Sequence, residues 1–182
     1  LKNQLEDFLA LPNASEMVRN SSFEQVFFTL KTLGLADSLD LLPLVSGSQV
    51  CAFVDLDCWR KDSFARRPFM EWVAAFIQAG PETMVQAIAN MDEDIVALFL
   101  KDVIEVYEID RDEPPPQTEL MYSPDGTLAV FQVETGSVST IASLILDGLF
   151  RHEPNLAYSL LRLVRYTTRS DLAERAYQNK TR

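Results

Sequence analysis

This 182-residue chain has only one histidine, and it lacks glycine-rich phosphate loops and serine-hydrolase motifs. Each of these shortages excludes a kind of site. A single histidine, His152, excludes zinc sites built from two or more histidines, and no G-x-S-x-G surrounds any serine. Neither G-x-x-x-x-G-K-[ST] nor G-x-G-x-x-G occurs. We therefore expect no catalysis and no cofactor, and an enzyme with an unrecognised carboxylate site is a third-ranked hypothesis.

Positive charge is the next shortage. The 16 Lys and Arg residues face 27 Asp and Glu residues, which gives a net charge of −11 and a pI near 4.5. A protein that binds nucleic acid needs a cationic surface to displace the counterions of the phosphates, so we expect no nucleic-acid partner.

Long apolar runs are also lacking. The longest, VSTIASLILDGLF, is interrupted by Asp147 and Gly148 and is shorter than the roughly 18 residues that span a bilayer. The opening residues LKNQLEDF do not have the pattern of a signal peptide. We expect no membrane insertion and a cytoplasmic location.

The chain has two cysteines, Cys51 and Cys58. If the segment is helical, seven residues separate them by about 10 Å along the axis, which is too far for a disulfide. We expect two buried thiols in a reducing compartment.

An internal repeat is the most informative pattern that is present. The segment from Phe23 matches the segment from Phe69 without a gap, and the shared apolar positions recur at the spacing of a helix face. Polar and glycine positions also coincide, namely Gly34 with Gly80 and Ser46 with Asp92. Glycine favours the end of a helix and Ser or Asp its start, so each unit is predicted to contain three short helices.

A fainter third copy follows an insertion. Its leucines, in SLILDGLFRHEPNLAYSLLRLV, match the second copy at a larger offset. The insertion contains five acidic residues in EVYEIDRDEPPP, three consecutive prolines that stop a helix, and the turn sequence SPDG. We expect a solvated acidic linker and a short β-hairpin around SPDG.

Together these patterns predict a mostly α fold. We expect a short superhelical array of three-helix repeats of about 46 residues each, similar in size to armadillo and HEAT repeats, with one inserted β-hairpin. An irregular helical bundle is the alternative. The predicted single domain, 1–182, divides into N-terminal flanking helices (1–22), repeat one (23–68), repeat two (69–106), the acidic proline-rich linker and hairpin (107–136), and a partial third repeat with a C-terminal helix (137–182).

The octapeptide DLDCWRKD, residues 55–62, is the densest cluster of polar chemistry. Asp55, Asp57 and Asp62 are weak candidates for the oxygen ligands of a hard cation. Calcium loops need more ligands and a glycine at the turn, which this stretch lacks, so we predict no metal site. A helix that ends here, with its tryptophan against the core and its charges in water, is the simpler interpretation.

A basic cluster overlaps the octapeptide. Arg60, Lys61, Arg66 and Arg67 supply four of the sixteen positive charges within eight residues, and Trp59 precedes them. Tryptophan and arginine dominate the energetics of many interfaces, so these five residues are candidates for binding a partner. Local pairing with the neighbouring aspartates, or simple solvation, is the alternative.

Two resemblances add to this. The chain resembles a family of bacterial cytoplasmic proteins with no assigned activity. Three segments carry the resemblance: the one that contains DLDCWRKD, then EWVAAFIQAGPETMVQAI, and then MDEDIVALFLKDVIEVYEID. The segment IANMDEDIVALFLKDV is more weakly similar to the acidic helical repeats of MgtE-type magnesium transporters and flagellar motor switch proteins. The second resemblance implies stacked helices used for ion sensing or subunit contact.

Our first hypothesis is therefore a non-catalytic protein-protein interaction scaffold that binds another protein. The second is a divalent-cation-responsive regulatory domain that uses clustered acids. The sequence predicts neither the identity of the partner nor the oligomeric state.

Overall fold

A computed structural model describes residues 2–113 and 119–180 of the chain. Over these residues the fold is mostly helical with two small antiparallel sheets, which confirms the mostly α part of the predicted fold. The helices are α1 Lys2–Leu9, α2 Ala14–Asn20, α3 Phe23–Leu33, α4 Gly47–Asp57, α5 Arg66–Ala79, α6 Pro81–Asn90, α7 Glu93–Val103, α8 Ser137–His152, α9 Pro154–Tyr166 and α10 Arg169–Lys180. The strands are β1 Trp59–Arg60, β2 Ser63–Phe64, β3 Ile104–Glu108, β4 Met121–Tyr122 and β5 Leu128–Gln132. No helix in the described ranges is long and apolar enough to cross a membrane.

The chain divides into two compact units, and the boundary lies between Met91 and Asp92. The first unit contains α1 to α6 and the two-stranded sheet. The second contains α7 to α10 and the three-stranded sheet. The boundary falls inside the predicted second repeat, between its second and third helices.

Stacked aromatic rings form the centre of the first unit. The Trp72 ring of α5 lies parallel to Phe53 of α4, with 5.2 Å between ring centroids, and Phe27 of α3 stacks on the same indole at 6.0 Å. Trp72 and Phe53 are completely buried. Aromatic pairs contribute beyond the area they bury, so this stack holds α3, α4 and α5 together.

The helix starts follow from local capping. Ser46 forms a capping box with Gln49 at the start of α4, and the Gln49 amide also donates to the backbone carbonyls of Val18 and Ser21, at 2.8 and 3.0 Å. One buried glutamine therefore caps α4 and binds the end of α2. The start of α4 also lies close to the end of α6, because a Cβ atom at Gly47 would be 2.2 Å from the Asn90 side-chain oxygen.

Predicted repeat one has two α-helices rather than three. Between α3 and α4 the chain forms two short 3-10 turns, Leu35–Asp37 and Leu42–Leu44, where the matching segment of repeat two forms α6. Pro43 cannot donate a backbone hydrogen bond, and the Ser38 hydroxyl bonds the Gly34 carbonyl at 2.7 Å. These two residues favour turns over a regular helix.

The second unit is built around α7. Seven of its side chains are less than 4% exposed, namely Ile95, Val96, Ala97, Leu98, Phe99, Leu100 and Val103. They pack mainly against α9 and α10, which contribute Leu160, Leu161, Leu172 and Ala176. A helix that is apolar on nearly every side must be covered on nearly every side, and α7 is the core element of this unit.

The insertion forms a three-stranded antiparallel sheet in the order β3-β5-β4. Between β3 and β5, Ile104 pairs with Gln132 and Glu108 with Leu128. Strand β4 pairs with β5 through Met121 and Tyr122 alone. The hairpin predicted around SPDG is present as β4 and β5, and Gly126 adopts the expected left-handed φ of 71°. The pairing of β3 was not predicted, and the three consecutive prolines lie outside the described residues.

Candidate functional site

The octapeptide begins in a helix and ends in a hairpin. Helix α4 ends at Asp57, Cys58 follows as its C-cap, and β1 then pairs with β2 through Trp59 with Phe64 and Arg60 with Ser63. A two-residue loop joins the strands. The helix end was predicted, but the hairpin was not, because its loop residues, Lys61 and Asp62, include no glycine or asparagine.

Aromatic contacts hold the base of this hairpin. Trp59 is 6% exposed, its ring lies 6.0 Å from that of Phe64, and Phe64 in turn contacts Phe69 of α5 at 5.5 Å. The backbone N–H of Ala65 donates to the Cys58 carbonyl at 2.7 Å and closes the base. Trp59 therefore supports the hairpin from within the core and does not present an exposed ring to a partner.

Asp57 is bound to groups of its own unit. Its Oδ2 atom accepts hydrogen bonds from Nζ of Lys31 at 2.7 Å and from the indole Nε1 of Trp72 at 2.8 Å. The Lys31 ammonium also lies 5.8 Å from the ring centroids of both Trp72 and Phe27. The carboxylate thus provides the acceptor that the buried indole N–H requires and a counter-charge for Lys31.

The three candidate metal ligands occupy different environments. Asp57 accepts hydrogen bonds from Lys31 and Trp72. Asp55 is half-buried on α4, and Asp62 is exposed at the hairpin loop. The described residues contain no group of three or more His, Cys, Asp or Glu side chains that would hold a metal ion. His152, the single histidine of the chain, is exposed at the last turn of α8.

Both cysteines are free thiols. Burial, reinforced by the negative charge of Asp57, raises the pKa of the Cys58 thiol far above its ordinary value, so this sulfur stays protonated and a poor nucleophile. The Cys51 thiol donates to the backbone carbonyl of Asn90 at 2.7 Å. Cys58 is completely buried and Cys51 half-buried, close to the expectation of two buried thiols.

The structure brings the predicted basic side chains to one short stretch of surface. Arg60 and Lys61 are exposed on the hairpin, Arg67 is exposed on the first turn of α5, and Arg66 beside it is half-buried. The Arg60 guanidinium bonds the carbonyls of Asp57 and Trp59, at 2.9 and 3.0 Å. We refer to residues 59–67 as the basic hairpin.

Three of these cations occupy positions that the local backbone disfavours. Lys61 has a φ of 59°, the left-handed region that is normally left to glycine. Arg66 and Arg67 are the first two residues of α5, where the helix dipole is positive and where no acidic residue is present. The sequence shows the charges, but it does not show the conformational penalty at Lys61 or the electrostatic penalty at Arg66 and Arg67, because both depend on the backbone.

Comparison with known proteins gives one match. The model of a family of unknown function, DUF6178, matches residues 2–182, which include both units and the basic hairpin. No curated protein and no solved structure is significantly similar to the chain. The first of the two resemblances is thereby confirmed at the level of the family, and the chain belongs to DUF6178, a family of unknown function.

Proposed function

We propose that this chain is a non-catalytic scaffold that binds an acidic surface of another protein through the basic hairpin. The observation that carries the proposal is the placement of Lys61 at a positive φ and of Arg66 and Arg67 at the first two positions of α5, where their residue types are disfavoured. A sequence that breaks local rules in this way usually does so at a functional site.

The geometry suits a preorganised contact. The β1–β2 pairing and the buried aromatic base fix the backbone that bears Arg60 and Lys61. A segment with a fixed backbone loses less entropy on binding than a mobile one, so more of the interaction energy appears as affinity. A basic patch on a chain of net charge −11 also orients an acidic partner as it approaches.

A cluster of carboxylates on a protein fits this surface better than the phosphate backbone of a nucleic acid. Asp55, Asp62 and Glu71 lie beside the cations in sequence, and the Arg67 guanidinium is 3.3 Å from a Glu71 carboxylate oxygen. Residues 1–91 contain eleven acidic and seven basic side chains. A long nucleic-acid backbone would meet this negative field around a small basic site.

We also propose that residues 23–68 and 69–106 are two copies of an armadillo- or HEAT-like repeat, in a cytoplasmic bacterial scaffold. Helices α4 and α7 occupy equivalent positions under the 46-residue shift, and each follows an N-cap residue, Ser46 or Asp92, whose side chain accepts a backbone hydrogen bond. Gly34 and Gly80 both have positive φ angles. The free thiols are compatible with a reducing compartment.

The cation-responsive and enzymatic alternatives lack comparable support. The half-buried carboxylate of Asp57 is bound to Lys31 and Trp72 of its own unit. The buried carboxylate of Asp94 is bound to Arg175 of its own unit. A metal ion would have to displace those partners. We rank both alternatives below the scaffold.

A charge-reversal experiment tests the proposal. The variant Arg60→Glu, Lys61→Glu, Arg67→Glu would be compared with the wild type in affinity capture from a lysate of the source cells, with mass spectrometry as the readout. The control reverses three exposed cations elsewhere, Lys2, Arg151 and Arg162, and so makes the same change in net charge. We expect the control to retain a captured protein and the hairpin variant to lose it. Equal capture by all three proteins, or equal loss in both variants, would refute the assigned surface.

A pair of substitutions at Lys61 separates stability from binding. Lys61→Gly relieves the left-handed backbone and should increase the free energy of unfolding by about 1 kcal/mol, while Lys61→Ala should not. Both remove the same charge, so both should weaken partner binding equally. Urea unfolding and a binding titration with the captured partner measure the two effects. A stabilised Lys61→Gly variant with unchanged binding would remove Lys61 from the interface.

A further inference from the structure

In the second unit, α10 packs along α7, and charged groups fix both ends of the contact. At the start of α10 the Arg169 guanidinium donates to both carboxylate oxygens of Asp102, at 2.6 and 3.1 Å. Towards its end the Arg175 guanidinium lies 2.6 Å from an oxygen of Asp94, and the Asn179 amide donates to the same carboxylate at 3.3 Å. Asp102 is in the last turn of α7 and Asp94 in its first, so the two helices run antiparallel.

Between these two ion pairs the contact made by α10 is apolar but small. Leu98 lies four residues from each of the two aspartates and therefore on the same face of α7, and it is completely buried. Leu172 and Ala176 follow Arg169 at the spacing of one helix face, and they are the two buried residues among the twelve of α10. Helix α7 has eight buried residues among eleven. The cover is thus far more polar than the helix it covers.

The polar contacts hold α10 only weakly. The side chains of Arg169 and Arg175 are 56% and 49% exposed, and ion pairs that are half in water contribute little and are screened by salt. Burial raises the pKa of the Asp94 carboxyl above its ordinary value although Arg175 opposes the shift, so this pair does not fully offset the cost of the buried charge. A segment with few buried apolar contacts opens at a lower free energy than the core around it.

A two-residue connection, Thr167 and Thr168, joins α10 to α9. Thr167 has an extended backbone, with φ −107° and ψ 135°. The Thr168 hydroxyl accepts a hydrogen bond from the N–H of Asp171 at 3.2 Å, so the cap of α10 does not depend on α7. A helix of 12 residues is marginal in water by itself, so the backbone amides of α10 become accessible to solvent once it leaves α7.

We propose that α10 is a releasable cover of α7. It leaves α7 as one unit while α7, α8 and α9 stay folded, a higher ionic strength favours the open form, and opening uncovers the strip of α7 that contains Leu98. This device lies in the second unit and goes beyond the scaffold function proposed above, which rests on the basic hairpin of the first. The two proposals therefore stand or fall separately.

Native-state amide hydrogen exchange on the full chain tests the inference. NMR follows the amides of α7, α9 and α10 at about 0.05 M and about 0.5 M NaCl. We expect the interior amides of α10 to share one opening reaction and, after correction for intrinsic rates, to exchange at least about tenfold faster than those of α7 and α9. Exchange of α10 should be about threefold faster at the higher salt. The cover is refuted if α10 exchanges only together with α7, if protection falls gradually from Lys180 inward as in fraying, or if salt has no effect.

A pair of double variants assigns the salt effect to the ion pairs. Arg169→Gln with Arg175→Gln removes both pairs, and it should speed the exchange of α10 by about tenfold and abolish most of its salt dependence. The matched control, Arg151→Gln with Arg162→Gln, removes two exposed cations of the same unit and should leave α10 as in the wild type. Equal effects of the two double variants would contradict the role of the ion pairs.

A buried thiol tests whether opening exposes the contact surface. Ala176→Cys places a sulfur on the buried face of α10, and Ala142→Cys, which is also buried but on α8, is the control. Both are made with Cys51→Ser, so Cys58 is the one native thiol left. We expect a thiol reagent to modify the Ala176→Cys protein at a rate that rises with salt in step with the amide exchange of α10, and the Ala142→Cys protein only at the rate of unfolding. Reaction of both at the same rate would overturn the proposal.

Discussion

At the scale of single residues, Asp57 shows why a motif does not by itself define a site. Its position in DLDCWRKD suggests a metal ligand, but its carboxylate serves an indole and an ammonium from two other helices. Trp72 is fifteen residues further along the chain and Lys31 twenty-six residues earlier. No local pattern brings these three side chains together, because their contact is created by the packing of α3, α4 and α5.

Replacing Asp57 tests this structural role. Asp57→Ala would leave the buried Trp72 N–H without its acceptor and should reduce the free energy of unfolding by about 2 kcal/mol. Asp57→Asn keeps a carbonyl acceptor and should reduce it by about half as much. Lys31→Ala is the matched control, because the Lys31 side chain is 37% exposed and its loss should cost less than about 1 kcal/mol. Urea unfolding followed by tryptophan fluorescence measures all three, and an effect of Asp57→Ala no larger than that of Lys31→Ala would contradict the assignment.

Asp94, on the first turn of α7, is the second residue whose environment is unusual. Burial raises the pKa of its carboxyl above the ordinary 3.8, the nearby charge of Asp92 adds to the shift, and Arg175 opposes it. The Arg175 guanidinium lies 2.6 Å from Oδ1, and the Asn179 amide donates to Oδ2 at 3.3 Å. The two partners on α10 therefore offset the cost of the buried charge only in part.

The raised pKa of Asp94 gives a signed pH dependence. The native state holds this proton more tightly than the unfolded state, so the contribution of Asp94 to stability falls as the pH rises from 3.8 through the raised pKa. Relative to Asp94→Asn, the wild type should therefore gain stability between pH 7 and pH 4. Arg175→Gln should raise the pKa of Asp94 further and enlarge this difference. Urea unfolding at several pH values tests it, and a wild type that loses stability relative to Asp94→Asn on acidification would contradict it.

At the scale of elements, the close approach of α4 and α6 depends on one glycine. A side chain at Gly47 would overlap the Asn90 amide, whose nitrogen donates to the Gln86 carbonyl at 2.7 Å. Because the Asn90 side chain is exposed and can turn away, Gly47→Ala should lower the free energy of unfolding by less than about 1 kcal/mol. Adding Asn90→Ala should remove the overlap and restore most of that loss. A double-mutant cycle measures the coupling, and strictly additive effects would show that the overlap is relieved in another way.

Elements with a strong local signal were predicted from the sequence. Helices α4 and α7 have capping residues directly before their apolar pattern, and the β4–β5 hairpin has SPDG. The β1–β2 hairpin was missed because Lys61 takes a conformation that its residue type disfavours. Strand β3 was missed because its acidic residues resembled a linker, and its pairing with β5 joins residues 20 to 28 positions apart.

Only part of the candidate site was predicted from the sequence. The four cations were visible as a charge cluster in the sequence, and the structure places them on and beside one hairpin. The burial of Trp59 agrees with the simpler interpretation of the octapeptide and not with an interface anchor; the sequence left both open, since a tryptophan next to arginine is typical of both cores and interfaces. The apolar groove between α1, α2 and α3 was not predicted, because amphipathic helices predict apolar faces but not which face stays uncovered.

At the scale of the whole molecule, each unit has a core of its own, with Trp72 and Phe53 at the centre of one and α7 at the centre of the other. We therefore expect residues 1–91 and 92–182 to fold as separate fragments. The amide spectrum of each fragment should overlay on that of the full chain, except near the cut. A collapsed, poorly dispersed spectrum from either fragment would show that its core needs the rest of the chain.

The nearly complete burial of α7 has a consequence for synthesis of the protein. The ribosome releases α7 before α9 and α10, the helices that cover it. At ordinary elongation rates the delay between Val103 and Lys180 is on the order of 4 to 15 seconds. During that time a helix rich in Ile, Val, Leu and Phe lacks the two helices that cover most of it. The nascent second unit is therefore expected to be more prone to aggregation during synthesis than the first unit, which can be complete before α7 emerges.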